Sequence, residues 1–444
     1  MNPQGPHGTV STHWLLRSRR DKRALSPPGG RVVIDRCRVC GNRTLLPVLD
    51  LGPQALTGIF PRSREEIVPV VPLELVQCSP DGCGLVQLRH VADFGRMYGD
   101  SYGYRSGIRP FMVRHLGSKV SAVMKLVAPG PGDLVVDIGS NDSTLLRQYP
   151  ADGPTLVGVD PVGAKFRHLY PARAELITDF FSKEVFTERF GSRRAKAVTS
   201  IAMFYDLPRP MQFMQDIRDI LADDGVWVTE QSYLPSMLEA TAYDVVCHEH
   251  LGYYSLRQIE WMAKRVGLTV IKAELTDVYG GSLDVTFAKT PTRHRVDEAG
   301  LAAIRARESA LGLDGPAPFA RFAERSRRYR DALREFLDDS RKAGKLTVGY
   351  GASTKGNVIL QYCGLGPDDL LCIGEPNEEK AGCFTPGTGI PIVSESEAKS
   401  HGPDQLLVLP WIYRDGFLDR ERGFLAGGGK LVFPLPVLSV VEGR

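Results

Sequence analysis

From residue 133 to residue 230, short apolar runs alternate with longer stretches whose apolar positions recur at helical spacing. The runs are DLVVDIG (133–139), TLVGVD (155–160), AKAVTSI (195–201) and GVWVTE (225–230), each the length of a buried strand. Strands alternating with helical segments of about a dozen residues predict a parallel, doubly wound sheet. SLDVTFAK (282–289) alternates apolar with polar and reads as a strand added at an edge. The same rhythm returns in KLTVGYGAS (345–353), LLCIGEPN (370–377), QLLVLPW (405–411) and GKLVFPLP (429–436), with room for one helix in each interval. An α/β chain with two Rossmann-like units in tandem is expected.

The other stretches read differently. Residues 31 to 90 carry short apolar runs (PVLDLG, LELVQC, GLVQLRH) among many turn residues, which predicts a small β-rich module. A Gly/Tyr-rich linker, GRMYGDSYGYRSGI, follows, and then FMVRHLGSKVSAVMKLV (111–127) shows helical spacing that stops at Pro129-Gly130. Residues 297–343, with RARESALGL and RFAERSRRYRDALREFLDDSRKAG, predict amphipathic helices with a solvated charged face. At 444 residues the chain is too long for one core. The expected organisation is an extension (1–30), a metal-binding module (31–95), an α/β domain (96–290), a helical connection (297–343) and a C-terminal Rossmann-like substrate-binding domain (344–444).

Composition narrows the class. With 43% hydrophobic and 24% charged residues and a net charge of +3, the chain is ordinary for a globular protein and carries no footprint for nucleic acid or an anionic membrane. No apolar run approaches the roughly 20 residues of a membrane span. The first thirty residues, with WLLRSRRDKR and SPPGG, are basic and turn-rich, too short in apolar core for a signal peptide. They predict a disordered extension and a cytoplasmic chain.

Four of the eight cysteines are organised, as Cys37-Arg-Val-Cys40 and Cys78-Ser-Pro-Asp-Gly-Cys83. Two short-spaced pairs about forty residues apart match a structural tetrahedral zinc site. Gly41 and Gly84 permit the tight turns that follow such pairs. Cys247, Cys363, Cys372 and Cys383 are scattered and read as small buried hydrophobes.

The segment DIGSNDS (137–143) closes the first predicted strand. Gly139 allows a tight turn beneath a ligand, and Asp137 can anchor the amino acid end of a cofactor or the loop itself. Asp160, about twenty positions on, stands where ribose hydroxyls are accepted. The turn lacks GxGxxG and so offers little room for a pyrophosphate. A nucleoside cofactor without phosphates, S-adenosylmethionine (SAM), fits better. Asp179-Phe180, after LITD, suits contacts to an adenine edge.

Just downstream, EQSYLPSMLEATAYDVVCHEHLGYY (230–254) gathers two histidines, several carboxylates and four tyrosines where an α/β fold builds its active site. His248 and His250, two residues apart, would point to different helix faces, which argues against a shared metal. Glu230, Gln231 and Tyr233 follow a strand end and are candidates for sugar hydroxyls. GYGASTKGN (349–357) follows a strand and opens a helix, so its amides and Lys355 suit a phosphate. With Glu375 further on, an NAD site is a rival there, although the spacing misses the dinucleotide fingerprint.

These segments together resemble bacterial sugar C-methyltransferases that act on nucleotide-linked 4-keto-6-deoxyhexoses. The resemblance covers about residues 35–440 and rests on CRVCGN, CSPDGCGLVQL, YGYRSG, VDIGSND, TDFF, EQSYL, CHEH, YGGS, GYGASTKGN and FTPGTGIPIV, in that order. It implies a zinc module, a central SAM domain and a C-terminal Rossmann-like domain. By resemblance Cys37, Cys40, Cys78 and Cys83 are zinc ligands, and Asp137, Gly139, Asn141, Asp142 and Asp160 form the cofactor turn and ribose anchor. Glu249-His250 matches the pair whose histidine is the proposed base, and Tyr104 matches an active-site tyrosine from the linker. The chain departs from its relatives at Cys247-His248, where they read Tyr-Asp, at Asp206, near which they carry a histidine, and at Ser143, where they have glycine.

Chemically, a carbon beside a ketone can be deprotonated by a positioned imidazole because the charge spreads onto the carbonyl oxygen. His250 is the base candidate, with Glu249 or Asp244 to orient it. Tyr104, Tyr253 or Tyr254 can donate to the enolate oxygen, while the enolate carbon attacks the SAM methyl and the sulfonium S–CH3 bond breaks. Ser353, Lys355 and Asn357 join Glu230 and Tyr233 as substrate-binding candidates for a nucleotide-diphosphate sugar. A sugar O- or N-methyltransferase and an NAD-dependent oxidoreductase are the alternative activities. The expected partners are the substrate and, in oligomeric state, a monomer or homodimer, without nucleic acid or membrane.

Overall fold

The computed structural model describes residues 32–97 and 104–443. The extension expected over residues 1–30 and the centre of the linker lie outside the described residues.

Seven strands form the central sheet. In spatial order they are Leu268–Thr276, Ser282–Lys289, Leu221–Ser232, Ala195–Ile201, Leu134–Ile138, Thr155–Val159 and Ala174–Ile177. The last five are parallel, and in chain order they read 3-2-1-4-5 from the Ala174 edge. The order reverses between Leu134–Ile138 and Ala195–Ile201, the point at which such sheets open a crevice for ligands. Every residue of Leu134–Ile138 is buried, as a strand covered on both faces requires.

Two expectations need correcting. Ser282–Lys289 is not at the edge; it lies antiparallel between Leu221–Ser232 and Leu268–Thr276, and the latter is the edge strand. Alternation reports which face is buried, not how many neighbours a strand has, and here Phe287 also stacks on Trp227 at 4.3 Å between ring centroids. Between the first three parallel strands, only short turns of 3-10 helix (Leu146–Gln148 and Gly163–Leu169) replace the expected helices. The face they leave open is covered by the helix Pro110–Val127, whose Met112, Leu116, Val120 and Val123 pack on Val135, Leu156, Val226 and Val228. Helices Pro210–Ile220 and Leu256–Val266 cover the other face.

The N-terminal module is a four-stranded antiparallel sheet, ordered Leu45–Ala55, Val70–Cys78, Val86–Leu88 and then Gly252–Tyr253. That fourth strand comes from the chain immediately after His250, so the module and the central domain share a sheet. The C-terminal sheet runs Ile392–Ser394, Ile373–Glu375, Thr347–Tyr350, Gln405–Val408, Lys430–Phe433 and Ser439–Glu442, parallel except for the last. Its five parallel strands repeat the order 3-2-1-4-5. Helices Glu298–Leu311 and Ala317–Lys342 precede it, the second burying Phe319, Phe322, Leu333 and Leu337.

The three parts are packed on one another. A single apolar cluster joins Leu75 and Leu88 of the module, Tyr243, Val246 and Leu251 of the central domain, and Val348 and Val358 of the C-terminal unit. The Gln361 amide pairs with both the N–H (2.7 Å) and the carbonyl (3.1 Å) of Ala55, supplying a strand-like partner to an edge. Among the described residues, no helix is long and apolar enough to cross a membrane.

Candidate active site

The four paired cysteines converge. Their sulfurs lie within 4.8 Å of one another, with Cys37–Cys83 and Cys40–Cys78 each at 3.5 Å. A tetrahedral zinc with bonds of about 2.3 Å needs sulfurs about 3.8 Å apart, so the four positions fit the ion. The other four cysteines are buried, as expected.

At the crevice of the central sheet, Gly139 sits at φ +74°, its N–H donating to the Val159 carbonyl at 2.8 Å. Asp160 follows Val159, and its carboxylate accepts from the N–H groups of Asn141 and Val162, both at 2.8 Å. Asp137 is buried with the Thr199 hydroxyl at 2.6 Å, and burial pushes its carboxyl up to about 7. A carboxyl so poorly solvated favours a cationic partner. Asn141 and Asp142 take a different part. Asn141 accepts from the Ser106 N–H and donates to the Tyr104 carbonyl, and Asp142 accepts from the Gly107 N–H. Their side chains therefore tie the linker down over the turn. Asp179 caps the N–H of Phe180, whose ring is largely exposed.

The two histidines of the HEH motif separate cleanly. His248 is buried, with Nε2 donating to the Val71 carbonyl at 2.9 Å and Nδ1 facing the Thr57 hydroxyl at 3.4 Å. It staples the module to the central domain. His250 is partly accessible. Its Nδ1 lies 3.0 Å from the Val245 carbonyl, and because a carbonyl only accepts, Nδ1 carries the proton. The lone pair is then on Nε2. Burial, and then the Lys355 ammonium, hold this imidazole down to about 3, so it is neutral across the physiological range. The Tyr205 ring lies against it at 4.3 Å between centroids.

The orienting acceptor is thus a backbone carbonyl and not the carboxylate of Glu249 or Asp244. Glu249 instead fills the space over Gly58, where any Cβ would collide with its Oε1. Its Oε2 is buried without a hydrogen-bond partner. Asp244 accepts from the Trp411 indole at 2.9 Å, and its other oxygen is also unpartnered. Asp244, Val245, Lys355, Trp411, Tyr279 and Gly280 line one small cavity between the central and C-terminal sheets. At its side the Tyr104 and Tyr279 hydroxyls meet at 2.6 Å, and Arg109 donates to the Tyr413 hydroxyl at 3.3 Å. Tyr254 points elsewhere: it is fully buried against Phe204 in the cluster that holds Cys37, Cys78 and Cys83.

The remaining candidates divide in the same way. Both oxygens of Glu230 are engaged by His115 at 2.9 Å, and Lys119 at 2.6 Å bridges it to Asp284. Tyr233 donates to Glu308 at 2.9 Å. Gln231, on the opposite sheet face from Glu230, is buried with neither end of its amide paired. Ser353 caps the helix Thr354–Tyr362, accepting from the Gly356 N–H at 3.0 Å, and Asn357 donates to the Thr57 carbonyl at 2.8 Å. Glu375 accepts from the N–H groups of Ala352 and Asn377, the arrangement already seen at Asp160.

Family models match along the chain: a zinc binding domain at residues 37–98, a methyltransferase domain at 112–273 and a C-methyltransferase C-terminal domain at 277–436. C-methyltransferase NovU of Streptomyces niveus is 32% identical over 413 residues, spanning 92% of this chain and 97% of NovU. The chain belongs to the C-methyltransferase family. Among solved structures, the CcbJ methyltransferase from Streptomyces caelestis aligns with TM-score 0.33 at 13% identity, covering 42% of this chain and 99% of that one. The plantazolicin methyltransferase BpumL in complex with SAH aligns with TM-score 0.32 at 10% identity, covering 39% and 82%.

The enzyme is thus a SAM-dependent C-methyltransferase with a zinc-binding module, and Asp244, Val245, Tyr279, Lys355 and Trp411 share one cavity where its central and C-terminal parts meet. The sequence reading missed Arg109, Tyr413 and Trp411, which lie far from the HEH motif along the chain. Their only local signal was an aromatic or arginine at an element boundary, which is too common to single out.

Proposed function

We propose that this C-methyltransferase acts on a nucleotide-linked 4-keto (deoxy)hexose and methylates a carbon beside the ketone, with His250 as the base. The observation that carries the reading is the hydrogen bond from His250 Nδ1–H to the Val245 carbonyl, which leaves the Nε2 lone pair to accept a proton. Nε2 takes the proton beside the ketone, the C–H electron pair becomes the carbon–carbon double bond of the enolate, and charge collects on the former ketone oxygen. Lys355 shares the cavity with Val245 and Asp244, and among the described residues its ammonium has no ion-pair partner within 4.0 Å. That supports a place for it near the growing negative charge. When bound, SAM supplies the electrophilic methyl group. Asp160 suits the ribose hydroxyls, and Asp137 the ammonium end. The unpartnered Glu249 Oε2 and the Gln231 amide suit sugar hydroxyls, and Arg109, Tyr104 and Tyr413 suit the diphosphate side.

The test incubates the enzyme with a panel of nucleotide 4-ketohexoses in deuterated water, with and without SAM. One sugar is expected to gain solvent deuterium without SAM and a methyl group with it. A panel in which no sugar gains either ends the substrate reading. His250→Ala should lower the exchange rate by about 100-fold or more, the usual span of a general base. Full exchange in that variant would remove His250 from the role.

A further inference from the structure

We infer that Arg38, which lies inside the first zinc knuckle, positions His250 by clamping the peptide that follows it. This rests on the reading of His250 as the base. Leu251 is a node. Its N–H donates to the Tyr205 carbonyl at 2.8 Å, and its carbonyl accepts from the Leu88 N–H at 3.0 Å and from Arg38 Nη1 at 2.6 Å. Arg38 Nη2 reaches the Leu88 carbonyl at 2.8 Å. One planar guanidinium thus bridges two carbonyls, that of Leu88 at the end of one strand and that of Leu251 just before its neighbour, which a lysine ammonium reproduces poorly.

The surroundings leave Arg38 little freedom. It lies between Cys37 and Cys40, and its own N–H donates to the Gln87 side chain at 3.1 Å. The second knuckle grips the same segment: Gln258 donates to the Cys83 carbonyl at 3.1 Å, and Gly252–Tyr253 pairs with Val86–Leu88 directly downstream of Cys83. On the far side of Leu251, the residue that receives its N–H is Tyr205, whose ring lies on the imidazole. The Leu251 peptide is therefore fixed from both sides, and the backbone of His250 with it. The zinc module is in this view part of the active-site frame. Arg38 touches no reacting atom; it acts through Leu251.

The test uses the full-length, zinc-loaded protein with Arg38→Lys, Arg38→Met and Arg38→Ala, each checked for zinc content and melting temperature. Nitrogen-15 NMR of histidine-labelled protein, assigned with His250→Gln, reads the Nδ1–H tautomer without any substrate. The His250 signal is expected to lose its single-tautomer signature in Arg38→Met and to keep part of it in Arg38→Lys. Deuterium exchange at the sugar carbon should fall by about 10- to 100-fold in kcat, as for a base misplaced by about 1 Å, with KM unchanged. Guanidinium added to Arg38→Ala should restore part of the rate. Arg38→Lys with a wild-type His250 signal and wild-type kcat overturns the proposal, as does a rate loss confined to KM or one that guanidinium leaves untouched. If the wild-type enzyme exchanges no sugar, the substrate reading fails, while the NMR comparison still decides the role of Arg38.

Discussion

Lys355 and His250 illustrate how a residue acquires meaning from what faces it. In the sequence Lys355 belongs to a glycine-rich turn and reads as a phosphate ligand. In the structure its charge acts on His250, Asp244 and Cys247. A positive charge there disfavours the imidazolium and favours an enolate. Lys355→Met is expected to lower kcat for deuterium exchange by about 100- to 1,000-fold, the scale of a lost oxyanion donor, with KM changed by less than about threefold. A rise in KM alone would return Lys355 to the phosphate. The HEH motif shows the limit of reading single residues. His248 and His250 are chemically identical in sequence, and only their acceptors, Val71 and Val245, separate the staple from the proposed base.

At the scale of elements, the turn carrying Cys247 to His250 is held by the strand Val70–Cys78 through His248. Burial holds the His248 imidazole down to about 4, against an ordinary value near 6.5. The folded form therefore stays neutral where the unfolded chain is protonated. The stability this staple contributes is present above pH 6.5 and is lost as the pH falls toward 4. Between pH 7.5 and 5, its share of the loss is about 2 kcal/mol. His248→Ala should be less stable at pH 7.5, because the Val71 carbonyl loses its donor, yet should lose less on acidification. Urea unfolding at the two pH values measures both. The strand Ser282–Lys289 is a companion case at this scale. Its alternation was legible, and its central place was not, because a strand's neighbours come from residues far along the chain.

For the whole molecule, the four zinc ligands all lie in the module, but Arg38 between two of them and the carbonyl of Cys83 reach the central domain. Cys83 opens the strand Val86–Leu88 on which Gly252–Tyr253 is laid, and Arg38 spans the joint. Without the ion, four sulfurs within 4.8 Å lose their common partner. Chelation is expected to speed amide hydrogen exchange in peptides covering residues 247–256 as well as in the module, before the C-terminal sheet is affected. Loss of protection confined to residues 32–97 would show that the two parts are independent. The C-terminal unit meets the rest from the other side, through Trp411 on Asp244 at the cavity and Asn357 on Thr57 of the module.

What the sequence determined by itself is local. The strand runs, the paired cysteines, the Gly139 turn and the acidic residue at Asp160 are patterns of period or spacing within a few tens of residues, and backbone geometry makes them readable. Tertiary structure alone decided which of the gathered polar groups face a common space. Tyr254, in the motif, went to the core with the cysteines, while Lys355, about a hundred residues on, came to His250. Glu230 and Ser353 were absorbed by His115 and a helix cap, and Asp244 and Glu249 were left with unpaired oxygens. Burial and hydrogen-bond partners arise from chain segments that meet only on folding, and a one-dimensional pattern carries no record of that meeting.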